Sequence, residues 1–171
     1  MISLGIDPDL KTSAFAWIVD GEVQALQVVK AEKSKTPVVS MVDALWKQPW
    51  KYWVNQNILV VESQQIYQGT SSAVPQHLIR LAQVAGACLM FQRNSKTRVF
   101  LPLPSQWKGS VPKEIHQARV LRKVGIEPKK GAGYCYPADP KVLKRWGFPK
   151  GSWKHLSDAI GLALWGLEQD T

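Results

Sequence analysis

Apolar positions follow two rhythms along the chain. Residues 2–7, ISLGID, make a compact apolar run that ends on Asp7 and read as a short buried strand. Two β-rich runs within 12–30 flank Asp20-Gly21, a dipeptide that supplies the positive φ of a tight hairpin. Ile58, Leu59, Val60 and Val61 predict a fourth, fully buried strand over 57–62, closing on Glu62. TRVFL, 97–101, predicts a fifth, stopped by Pro-Leu-Pro. Between these runs the apolar residues step by three and four. The segment 37–54 starts at Pro37 and sets Val38, Met41, Val42, Leu45 and Trp46 on one face. The segment 73–93 aligns Val74, Leu78, Leu81, Ala85 and Cys88. Residues 113–124 predict a basic helix. Residues 153–168 predict a last one, with Leu156, Ile160, Ala163, Leu164 and Leu167 opposite His155 and Asp158. Residues 125–152 hold five Gly and four Pro and predict a long loop with one short helix near 140–146.

The order is βββαβαβα, an irregular basic stretch, then α. A hairpin beside strands joined through helices predicts an α/β fold: a mixed five-stranded sheet with helices on both faces. At 171 residues the chain suits one domain, spanning 1–171, with a basic Gly/Pro/Trp-containing insertion at about 125–154. No apolar run approaches membrane-spanning length, and Met1 leads straight into a strand pattern. Two cysteines make no disulfide framework, so a reducing, cytoplasmic setting and no membrane are expected.

Charge changes the picture. The net charge of +9 is unevenly spread: residues 93–154 carry 15 basic and 3 acidic side chains, a balance of +12, and the remainder is mildly acidic. Such a skew points to a polyanionic partner, nucleic acid above all. A solubilising surface is the plainer reading. Eight Trp are present. Trp46, Trp50 and Trp53 read as core or interface. Trp107, Trp146 and Trp153 interleave with lysines, which suits base stacking or cation–π packing, although core is the commoner use of Trp.

Two predicted strands end on carboxylates, Asp7 and Glu62, and a third acid, Asp158, opens the final helix one turn after His155. With strands one and four adjacent, Asp7 and Glu62 lie side by side. Two such carboxylates repel, and a divalent cation removes the conflict; an oxygen-led donor set suits Mg²⁺ or Mn²⁺. Solvated strand ends, and a helix-start His155 with no ligand role, explain the same residues.

Four stretches, in order, resemble the RuvC-type Holliday junction resolvases of the RNase H-like superfamily. GIDPDLKTSAFAWI is similar to their opening GIDPG…TG strand. VVESQQIYQGTSSAVPQHLIRLAQVAGACL resembles their fourth strand, its terminal Glu and the following helix. LPSQWKGSVPKEIHQARVLRKV resembles their P…VK…G…K stretch, and HLSDAIGLALWG their closing (H/D)-x-x-D-A helix. The resemblance covers about four-fifths of the chain. It implies an RNase H-like fold and a metal site of Asp7, Glu62, His155 and Asp158. Two Mg²⁺ per active site, with Mn²⁺ able to substitute, would then hydrolyse a phosphodiester in branched DNA, above all four-way junctions. In that scheme Asp7 bridges the ions, and His155 acts as ligand rather than base. Lys108 and Lys113 contact phosphates near the scissile bond. Arg119, Arg122 and Lys123 continue the track. Tyr67 or Ile66 supports unstacked bases at the crossover, where stacking is worth about 1–3 kcal/mol.

The resemblance also implies a homodimer, built partly on helix 73–93, whose second apolar set is Ala82, Leu89 and Phe91. Two departures stand out: Asp9 replaces the usual Gly, and 125–154 is longer than in typical bacterial relatives, which leaves room for a phage or viral branch. Two other classes remain: a non-catalytic branched-DNA-binding module on the same fold, and an RNase H-like nuclease acting on RNA, on RNA–DNA hybrid or on a pre-16S RNA.

Overall fold

A computed structural model describes residues 1–33, 36–48, 56–64, 74–92 and 95–169. Its centre is a mixed five-stranded sheet in the order β3-β2-β1-β4-β5. The strands are β1 (Ile2–Asp7), β2 (Thr12–Val19), β3 (Glu22–Lys30), β4 (Ile58–Val61) and β5 (Arg98–Phe100). β1, β2 and β3 are antiparallel neighbours, whereas β1, β4 and β5 run parallel. The turn between β2 and β3 is Asp20-Gly21, with φ of 49° and 86°, the left-handed pair that a two-residue hairpin demands.

The alternation of side chains sorts the sheet into two faces. Leu4, Ile6, Phe15, Trp17, Leu59 and Val61 point to one. There they meet α1 (Pro37–Trp46) through Met41 and Leu45, and α2 (Val74–Cys88) through Val84, Ala85 and Cys88. Each fully buried Leu, Ile or Phe on this face contributes about 1.5–3 kcal/mol. Phe91, in the 3₁₀ turn after α2, belongs to this core, edge-on to Phe15 at 5.8 Å. It is therefore no part of a second, outward apolar face. Leu89 also packs against the core, and Ala82 alone of that set is exposed.

Ser3, Gly5, Asp7, Ala14, Ala16, Ile18, Ile58, Val60 and Glu62 occupy the positions between, hence the opposite face. The last helix, α6 (Trp153–Glu168), lies on it. Leu156, Ile160, Ala163 and Leu164 share a core with Ala14, Ala16 and Ile18, as their spacing predicts. α6 is nevertheless buried on nearly every side, because α4 (Lys113–Lys123) and a small hairpin cover its outer surface. Helix and sheet meet without a spacer at Gly5. A Cβ there would stand 2.1 Å from the Ala159 carbonyl oxygen and 2.5 Å from the Ala163 nitrogen.

The segment predicted as a long loop is more ordered than its Gly and Pro content implies. The short helix stands where expected, as α5 (Pro140–Trp146), with Asp139 accepting from the Lys141 N–H and Gly147 left-handed at its end. Ahead of it, β6 (Pro128–Lys130) and β7 (Cys135–Pro137) form an antiparallel hairpin. Three-residue strands give too short an alternation to read, but β7 is buried against α4 and α6. One further turn of helix, α3 (Pro104–Trp107), follows β5. Among the described residues no helix is long and apolar enough to cross a membrane.

Candidate metal and nucleic-acid site

Strand parity and register place the acids. Ile6 pairs with Val61, and the Glu62 N–H donates to the Ile6 carbonyl. Asp7 and Glu62 therefore end adjacent parallel strands, and both project to the face that α6 covers. The N-terminal turns of α6 stand at the same end of the sheet and deliver His155 and Asp158. All four predicted ligands are thus brought together, and Lys108 and Lys113 join them.

The pairings are specific. His155 Nδ1 lies 2.8 Å from Asp7 Oδ2. Glu62 Oε1 accepts from Lys108 Nζ and from the Trp107 indole N–H, each at 3.2 Å. Asp158 Oδ2 is 2.7 Å from Lys113 Nζ, and its Oδ1 accepts from Gln117 Nε2 at 3.0 Å. The three carboxylates are nearly enclosed: Asp7 is 6% exposed, Glu62 9% and Asp158 2%.

Enclosure has an electrostatic consequence. Burial pushes the Asp7 carboxyl above its ordinary range; the His155 hydrogen bond opposes this, and the Asp158 charge adds to it. Burial, then the Asp7 charge, pushes Glu62 up to about 7 against the pull of Lys108. Burial alone would lower the Lys113 ammonium, but Asp158, with Asp7 and Glu62 behind it, outweighs burial and raises it. Desolvation pushes His116 down to about 4, so this imidazole, edge-on to Trp107 at 4.8 Å, is neutral and structural.

The donor set fits a hard divalent cation: three enclosed carboxylates and an imidazole, with Asp7 destabilised by the charge of Asp158 and Glu62 by those of Asp7 and Asp158. Among the described residues, no three of His, Cys, Asp and Glu converge closely enough to hold an ion as they stand. Each acid is instead engaged by a neighbouring donor, and loading requires the two lysine ammoniums to give way. A pH dependence follows. Below about pH 4.5 Glu62 is protonated in folded and unfolded chains alike, so its burial carries no ionic penalty. Between about 4.5 and 7 the unfolded chain ionises first, and stability falls until the folded group ionises as well. In chelator, Glu62→Gln is expected to raise the melting temperature at pH 8 and to leave it nearly unchanged at pH 4. An equal gain at both pH values would contradict the assignment.

The remaining predicted residues are more scattered. Arg119, Arg122 and Lys123 lie on α4, whose other end carries Lys113 at the acids. Arg122 pairs with Glu127 at 3.6 Å, and Lys123 with Glu168, about 14 Å along the helix axis from the acid end. Exposed Arg119 borders two surface cavities. Tyr67, Ile66, Trp50 and Trp53 lie outside the described residues. Trp153 is fully buried and Trp107 nearly so, which makes both core residues rather than base-stacking platforms, but the Lys108 ammonium stands over the Trp107 ring at 5.0 Å, the cation–π packing that the sequence also suits. Trp146 packs on the same core under Arg145, and Trp46 is exposed. The Asp9 carboxylate accepts from the Lys11 N–H, so it is engaged in the turn after β1. Sequence reasoning passed over Gln117, which is 0% exposed. Its spacing of four from Lys113, on one face of α4, is the signal that finds it.

No family model matches the sequence, and no curated protein matches it. Solved structures do. One of RuvC from T. thermophilus, in complex with a Holliday junction substrate, aligns at a TM-score of 0.63 and 18% identity, covering 96% of this chain and 92% of that one. The chain has the fold of RuvC. A second Thermus thermophilus RuvC structure gives 0.59 and 20% identity with the same coverage. The mixed sheet and its flanking helices are thus the RuvC arrangement of the RNase H-like architecture.

Proposed function

We propose that this chain is a divalent-metal-dependent, structure-selective endonuclease that cleaves Holliday junctions and related branched DNA. One observation carries the reading: on a RuvC fold, Asp7, Glu62, His155 and Asp158 meet at one end of the sheet, beside Lys108 and Lys113. Asp7, Glu62, His155 and Asp158 would hold two Mg²⁺ ions, for which Mn²⁺ can substitute. When bound, such ions polarise a phosphate and lower the pKa of an attacking water. The chain's own residues do the rest. Asp7, on the central strand between its partners, would serve as the central ligand. His155 is oriented by its Nδ1 contact with Asp7, which leaves Nε2 as the nitrogen not engaged there. Lys108 and Lys113 already bear on the acids, and on release their ammoniums would neutralise phosphate oxygens beside the scissile bond. Arg119, Arg122 and Lys123 extend positive charge along α4, and Tyr67 would support bases at the crossover.

The deciding experiment offers labelled four-way junction, flap, linear duplex and RNA–DNA hybrid with Mg²⁺. Cleavage of the junction above all others is expected. Preferential cleavage of hybrid would move the chain to an RNA-directed nuclease. The pairing of every acid with a donor favours a second reading, a non-catalytic branched-DNA-binding module. That reading requires that the site take no Mn²⁺ and that no substrate be cut.

Binding is expected to be strongly salt-dependent, because a +12 segment displaces counterions from the phosphates it meets. For about four contacts, affinity should fall roughly a hundredfold between about 50 and about 200 mM salt. Lys108→Ala should weaken all branched substrates alike, since phosphate contacts carry no sequence information. Loss confined to one DNA sequence would contradict its role.

The same reading includes a cytoplasmic homodimer, since two equal sites match a two-fold junction. Exposed Val39, Trp46 and Ile79, on the helices that cover the other sheet face, are its candidate contacts. Sedimentation at micromolar concentration tests it: a single 19.1 kDa species that still cuts paired strands would remove the dimer.

A further inference from the structure

Among the described residues, Gln117 supplies the one side-chain amide that reaches a proposed ligand, and it is wholly enclosed. Its Nε2 donates both to Asp158 Oδ1 at 3.0 Å and to the Lys154 carbonyl at 2.7 Å. Its Oε1 accepts from the Cys135 N–H at 3.0 Å. One amide thus ties α4, the first turn of α6 and strand β7 together. A buried Gln is costly unless its polar atoms are met. Here both donor and acceptor are used, and one of the bonds goes to a carboxylate. Lys154 precedes Asp158 by one helical turn, so the two donations clamp the aspartate side chain against its own helix.

Asp158 has two oxygens, and they are held differently. Oδ1 is taken by Gln117, which is fixed by burial and by its two other bonds. Oδ2 is taken by Lys113, whose side chain is 44% exposed. Lys113 and Gln117 are four apart on α4, so one helix face supplies both partners.

We propose that Gln117 is a positioning residue for Asp158: it retains Oδ1, so that Oδ2 is the single oxygen presented to a cation when Lys113 departs. The inference rests on the metal-site reading above and names a residue that reading does not need. It has a cost that a purely architectural residue would not have to meet. An apolar side chain of the same length would fill the space between α4 and α6, but it would leave the aspartate free to rotate.

The test is Mn²⁺ binding to DNA-free protein, followed by electron paramagnetic resonance, in wild type, Gln117→Met, Asp7→Asn and Thr97→Val. Thr97 is a control: its hydroxyl makes a buried bond to the Gln56 carbonyl, at the far end of the sheet from the acids. Gln117→Met is expected to bind Mn²⁺ at least tenfold more weakly. Thr97→Val, at comparable loss of melting temperature, should bind as wild type does. On junction substrate Gln117→Met should lower kcat with KM unchanged, because the DNA-contacting lysines are intact. Should Gln117→Met fail to fold, Gln117→Asn keeps an amide one methylene too short and is read in the same way. Mn²⁺ affinity equal to wild type in the folded variant overturns the proposal, as does a drop matched by Thr97→Val. If wild type itself takes no Mn²⁺, or Asp7→Asn takes it equally well, the metal-site reading fails first.

Discussion

Asp7→Asn is expected to abolish cleavage while leaving junction binding intact. Asp7 sits on the central strand, with Glu62 on the neighbouring strand and His155 and Asp158 above it, so its charge touches every other proposed ligand. The asparagine keeps the size and still hydrogen-bonds His155, but it removes the charge that a shared cation needs. A loss of at least a thousandfold is expected, about 4 kcal/mol in the barrier. Stability should hold or rise, because burial and Asp158 already disfavour the ionised form. Binding should survive because the basic residues lie elsewhere in the chain. Single-turnover cleavage, gel-shift affinity and thermal melting measure the three claims. Cleavage within about threefold of wild type would remove Asp7 from the site, since that is only about 0.6 kcal/mol.

Gly5→Ala is expected to be the most damaging single-methyl change in the molecule. The added Cβ would meet two backbone atoms of α6, at 2.1 and 2.5 Å, and backbone in a packed helix cannot rotate away. Overpacking typically costs about 1–3 kcal/mol, and a clash with backbone on both sides belongs at or above the top of that range. For a chain of this size that lowers the melting temperature by about 6–12 °C. Function should suffer beyond stability. Ala159 adjoins Asp158, so a helix pushed off β1 carries Asp158 and His155 away from Asp7. A displacement near 1 Å costs about a hundredfold in rate. An unchanged melting temperature would show that α6 does not seat on β1 as described.

Much of this was legible in the chain. The five strands, the Asp20-Gly21 turn and the helices that cover both faces follow from local pattern, whereas the four ligand candidates became one set only through the resemblance. The facing of Asp7 and Glu62 was legible too, once β1 and β4 are paired, because alternation puts both on the face of Gly5 and Val60. The rest depends on contacts between distant segments. A three-residue strand such as β7 has no periodicity to read; it exists because α4 and α6 give it a surface. The sandwiching of α6 was hidden because its narrow stripe describes only the side that meets the sheet. Trp107 and Trp153 sit among lysines in sequence, yet their rings lie in the core and only the Trp107 N–H reaches the acids. Gln117 does not stand out within a basic helix, because its three partners come from two distant elements, α6 and β7.

The pairing of Asp7 with His155 joins residues 148 positions apart. At about 5–20 residues per second, a ribosome needs roughly seven to thirty seconds to make the intervening chain. Throughout that interval β1 and β2 exist without α6, and Ala14, Ala16 and Ile18 lack the helix that covers them. Contacts of such long range also slow folding, since loop closure must precede them. The nascent chain therefore carries exposed apolar sheet for longer than a protein built from local contacts, and its dependence on chaperones should be correspondingly high. The same delay has a protective side. The last two candidate ligands, His155 and Asp158, are translated only after the basic segment, so a chain that stops short of α6 lacks half of the acid cluster.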